Sequence, residues 1–180
     1  MNGIQWVFLV FTALGGAAVL GSYAHGIRTH ARPADRLWGG VPRGLRPAYG
    51  VSMLLAALGF LAFFGHLLVF VEPGAVGLPG GYLAYFALFG LILAPSALWM
   101  PLTFRYLDRP SAGRWAAVRA VLFLAALGSL ALLGALLLEW PGQATASFGA
   151  AVVGAGLFAF HLTFLDALLW PALYRRAGRG

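Results

Sequence analysis

The sequence contains no cysteine. That excludes disulfides, thiolate metal sites, iron–sulfur clusters and covalent c-type haem attachment. Lysine is missing too, so all 12 basic residues are arginine. Charge of either sign is scarce: 9% of the 180 residues are charged and 61% are hydrophobic, whereas a soluble domain carries about a quarter charged residues. The chain therefore reads as an integral membrane protein. No phosphate-binding glycine loop, HExxH helix or nucleophile elbow is present. The net charge of +7 does not indicate nucleic-acid binding, because the arginines flank apolar spans and follow membrane topology.

A hydrocarbon core of ~30 Å needs about 20 apolar residues per helix, and five stretches qualify: residues 4–23, 49–71, 82–104, 115–138 and 148–174. The N-terminal stretch has no basic segment before it and reads as a retained helix. Arginines 28, 32, 36, 43 and 46 follow the first span, 105, 109, 114 and 119 bracket the turn between the third and fourth, and 175, 176 and 179 follow the fifth. The other two connections hold no basic residue, only Glu72 and Glu139, which read as solvated. All positive charge thus falls on one side, which by the positive-inside rule puts the N-terminus outside and the C-terminus inside. The expected fold is an all-α bundle of five transmembrane helices forming a single domain.

The third span carries Pro95 and Pro101. Each removes one N–H and frees the carbonyl four residues back, those of Leu91 and Ala97. Freed carbonyls persist at membrane depth only where protein or ligand satisfies them, so this helix should face the interior and wall the site. Small residues recur at helix-packing spacing, among them Gly90 and Ala94, a candidate homodimer face. The connection at 25–47 combines arginines with Trp38 and three prolines. It reads either as an ordered lid or as a basic segment held on membrane lipid with Trp38 as anchor.

Polar groups within the spans are few and hence informative. Counting 1.5 Å per residue from the inner end, His161 lies roughly 20 Å deep, level with Leu91, and Asp166 about 12 Å deep, close to Ala97. The carbonyls freed by Pro95 and Pro101 are the partners this register offers them, and Ser96, Thr103 and Thr163 extend the polar set. Depth argues against His66 and His161 sharing one haem iron, since His66 sits roughly 8 Å from the outer end and His161 roughly 20 Å, and leaves ligation by a single histidine open.

Leu98-Trp99-Met100-Pro101-Leu102-Thr103-Phe104 resembles the W-x-P-[LI]-F-F signature in the third helix of the TspO/MBR family, the tryptophan-rich sensory or translocator proteins. Ser96 stands where that family usually has Asn, and Thr103 replaces the first Phe. Leu165-Asp166-Ala167-Leu168-Leu169-Trp170 is similar to the family's fifth-helix pattern L-N-x-x-[VI]-W, with Asp for Asn. Five spans and a long first loop agree with it as well. The resemblance implies a membrane receptor or translocator that binds porphyrins, sterols or other flat hydrophobic ligands in a pocket beneath the first loop.

The ligand-binding set is then Trp38, Tyr49, Ser96, Trp99, Pro101, His161, Asp166 and Trp170, with no metal and no required cofactor. Leu169, Tyr174 and Arg176 fit the loose L-x-Y-x-R sterol pattern. The alternative is a membrane enzyme or haem-dependent protein using His161 and Asp166.

Overall fold

The computed structural model describes residues 1–139 and 145–177, without the side chains of residues 34 and 175–177. Arg176 of the sterol pattern therefore lies outside the described side chains. Five helical stretches are long and apolar enough to cross a membrane, and among the described residues there is no strand. They contain α1 (Gly3–Thr29), α3 (Arg46–Val69), α4 (Leu83–Asp108), α5 (Ala112–Leu138) and α6 (Ala146–Phe160), the last continued by a π-helical segment, His161–Leu169, and then α7 (Trp170–Ala177). A short helix, α2 (Pro33–Trp38), lies in the first loop.

Local chemistry sets the helix starts. Asn2 and Gln5 form a reciprocal capping box on α1, and Ser111 and Thr145 accept from the first-turn N–H groups of α5 and α6. The outside of the bundle is apolar: Val51, Leu54, Leu58 and Leu61 of α3 are all more than half exposed. In water that stripe would be a large exposed patch, and a lipid environment accounts for it.

Around the bundle α1 packs on α4, α4 on α5, α5 on the fifth span, and the fifth span on α3, while α3 touches α1 only lightly. The tightest contact is α3 against α6. A Cβ placed on Gly59 would lie 2.3 Å from the Gly154 carbonyl oxygen, and one on Gly154 would lie 2.7 Å from that of Gly59. Backbones this close require glycine on both sides.

Gly90, by contrast, faces Phe11 of α1, with a notional Cβ 3.7 Å from that ring, and Ala94 is exposed. Half of the small-residue pair read as a dimer face is thus taken up inside the protomer.

The core falls into two clusters. One is phenylalanine-rich and built round Phe8, Phe63, Tyr85 and Phe89. The other gathers Val41, Tyr49, Trp115, Val118 and Trp170 at the arginine-rich end.

Candidate functional site

The proline-bearing helix α4 turns Pro95 inward. Pro95 is buried and Pro101 half-buried, and two hydroxyls bond back along the helix beside them: Ser96 Oγ donates to the Ile92 carbonyl at 2.7 Å and Thr103 Oγ1 to that of Trp99 at 2.8 Å. Pro95, Ser96 and Trp99 then line a small hollow with Tyr23 of α1, Leu122 of α5 and Asp166 of the π segment. Its volume is ≈ 30 Å³, room for about one or two waters and well short of the ≈ 300–1,000 Å³ of a ligand pocket. Trp99 meets Tyr23 edge-on at 5.7 Å and Trp170 at 5.9 Å, and its Nε1 is buried with no hydrogen-bond partner.

His161 does not go to the Leu91 carbonyl. Its Nδ1 is 2.9 Å from Ser52 Oγ of α3, and its Nε2 is 3.5 Å from Asp166 Oδ2. The reason is the winding. Residues five apart point about 140° apart on an α-helix, whereas the i→i+5 ladder of a π-helix stacks them on one face. The same winding presents the Leu165 carbonyl to two donors, the Trp170 N–H and the Tyr49 hydroxyl, the latter at 2.9 Å. An acid and an imidazole thus share one face of the last span, with a serine behind them.

The first loop is folded down as a lid. Trp170 Nε1 donates to the Leu37 carbonyl and Tyr174 Oη to that of Arg36, each at 2.9 Å, while Arg36 Nη2 reaches Asp108 Oδ1 at 2.7 Å. Trp38 stands edge-on over Tyr49 at 5.6 Å, with the Arg46 guanidinium on its other side. Gly39 makes the close fit possible. Its φ is +46°, a left-handed value, and a Cβ there would lie 2.4 Å from the Tyr174 ring.

Tyr174 of the sterol pattern therefore packs inward, stacked on Trp115 at 5.8 Å. Leu169 joins the same inner cluster.

The chain matches no protein-family model, no curated protein and no solved structure. The function therefore has to be argued from the site.

Of the eight predicted ligand-binding residues, Ser96, Trp99 and Asp166 border the hollow directly. Trp38, Tyr49 and Trp170 belong to the cluster that also holds Trp99, and His161 meets Asp166, while Pro101, on the same helix as Trp99, does not line the cavity. Sequence reasoning missed Tyr23 and Ser52 as well as the Arg36 and Leu37 carbonyls. Ser52 had a faint signal as a hydroxyl in the apolar second span. The carbonyl acceptors had none.

Proposed function

We propose that this chain is a TspO-like membrane receptor or translocator for a flat hydrophobic ligand with a polar group, a porphyrin being the type probe. The supporting observation is the meeting, under a lid carrying Trp38, of the residues that carry the resemblance: Trp99, Asp166 and Trp170, from the third and fifth spans. Aromatic walls with one acid suit a conjugated ring bearing a polar substituent. A porphyrin does not fit ≈ 30 Å³, so binding requires lifting the lid, and lid movement is how occupancy is signalled or the ligand passed on. The positive-inside rule sets the lid on the inner face, with the N-terminus outside.

Titrating purified protein with protoporphyrin IX while following tryptophan fluorescence tests this reading. Saturable quenching, weakened by Trp99→Ala and by Asp166→Asn, is the expected result. Absence of saturation, or indifference to both changes, overturns it. The second reading, a membrane enzyme using His161 and Asp166, draws on the Ser52–His161–Asp166 line, an order of groups able to activate a serine. Labelling by a fluorophosphonate that is lost in Ser52→Ala would favour that reading instead.

A further inference from the structure

A larger cavity than the hollow lies at the opposite end of the bundle. It measures ≈ 600 Å³, within the range of small-molecule sites, and is formed by the ends of α3, α5 and α6, the side of α4 and the first outer loop. Two buried polar atoms that border it have no hydrogen-bond partner among the described residues. Tyr85 is 0% exposed and its hydroxyl has no partner, and His66 is 9% exposed with Nδ1 likewise unpartnered. An orphaned buried donor or acceptor costs about 1–3 kcal/mol, so a molecule that satisfies both is favoured there.

The electrostatics select its charge. Glu72 and Glu139 both border the cavity and are the only charged side chains in the two outer connections of a chain with net charge +7. Glu139 was read as solvated, yet its two carboxylate oxygens accept the Gly77 N–H at 3.0 and 3.2 Å, which fastens the loop as the cavity wall. Glu72 is exposed. Aromatic faces complete the lining: His66 stacks on Phe70 at 5.9 Å and meets Phe148 edge-on at 5.7 Å. Carboxylates at a rim above aromatic rings favour a cation with an apolar body, since ring faces also attract positive charge.

We propose that this outer cavity is a second binding site, for a lipophilic cation: a protonated amine or quaternary centre on an apolar body. The body fills the aromatic cavity, the charge lies between Glu72 and Glu139, and a polar substituent bonds to Tyr85 Oη and His66 Nδ1.

The probe is radiolabelled tetraphenylphosphonium, in equilibrium dialysis against the full chain in dodecyl maltoside. Saturable binding at one site per chain is expected. Glu72→Gln should weaken it about fivefold, and Ala75→Trp, which fills the cavity from the loop, should abolish it. Among the described residues the exposed Glu72 side chain makes no hydrogen bond or ion pair, so its substitution separates lost binding from lost structure. Added phosphatidylcholine should leave binding unchanged; competition would assign the site to a lipid ammonium headgroup and overturn the free-ligand assignment. No saturable binding, binding indifferent to both substitutions, or binding lost in Trp99→Ala would overturn the site itself.

Discussion

If the lid gates the inner hollow, loosening it should tighten ligand binding. Tyr174→Phe removes one tether, the hydrogen bond to the Arg36 carbonyl, while keeping the ring that stacks on Trp115. One such bond contributes about 1 kcal/mol. The Arg36–Asp108 pair adds little, because its carboxylate is 52% exposed and solvent screens exposed ion pairs. Where the binding-competent form is a small fraction of the population, apparent affinity scales with that fraction. A loss of about 1 kcal/mol from the closed form therefore lowers the apparent Kd for protoporphyrin IX about fivefold, and stopped-flow association should accelerate by a similar factor. No tryptophan is altered, so the quenching signal is preserved. Gly39→Ala attacks the same seam from the lid side, through steric conflict with the Tyr174 ring, and should act in the same direction. If Tyr174→Phe binds equally or more weakly while Gly39→Ala has no effect, the loop is not a gate and the reasoning fails.

Ser52→Ala leaves His161 Nδ1 buried and unpaired and should cost about 1–3 kcal/mol, read as a lower melting temperature in detergent; an unchanged melting temperature would dissolve the network. Gly154→Ala sets a Cβ against the Gly59 backbone and should destabilise by about 1–3 kcal/mol through overpacking. Gly149→Ala, which meets open space on the same helix, should be neutral or slightly stabilising. Because the chain has no cysteine, single-cysteine variants report topology directly. Ala75→Cys should react with an impermeant maleimide from outside intact cells and Gly44→Cys only after lysis; the reverse pattern would invert the orientation.

The spans were legible because bilayer thickness leaves a composition signal that survives any packing detail. The inward turn of the third span was legible for a related reason: a proline in hydrocarbon must show its freed carbonyl to something polar, and Pro95 is buried against the hollow. Depth counting paired His161 with the Leu91 carbonyl and Asp166 with that of Ala97, whereas the two side chains meet each other. It assumed α-helical rise and phase throughout, and the π segment changes both just where His161 begins. The Gly59–Gly154 contact was hidden by abundance, since 25 glycines make any spacing common. The lid's tethers end on the backbone carbonyls of Arg36 and Leu37, and a carbonyl is the same at every residue.

How the polar side chains are used argues for the inner hollow more strongly than its size does. In a membrane, hydroxyls first satisfy backbone that water cannot reach. Ser22, Ser96, Thr103 and Ser129 all bond back to carbonyls three or four residues earlier on their own helices. Tyr49 and Tyr82 donate to carbonyls of other helices, those of Leu165 and Leu67, and Trp170 and Tyr174 hold the lid. Among the groups left at the inner hollow are the Trp99 indole N–H, which has no partner, and the Asp166 carboxylate, which His161 meets only at 3.5 Å. Both belong to residues lining that one cavity. Many of the hydroxyls in the spans are paired in this way, although those of Thr12, Tyr85 and Thr163 have no partner among the described residues. A donor and an acid left together at the cavity wall are what a ligand with a complementary polar edge would satisfy, which is why Trp99 and Asp166 are the positions whose removal should weaken porphyrin binding.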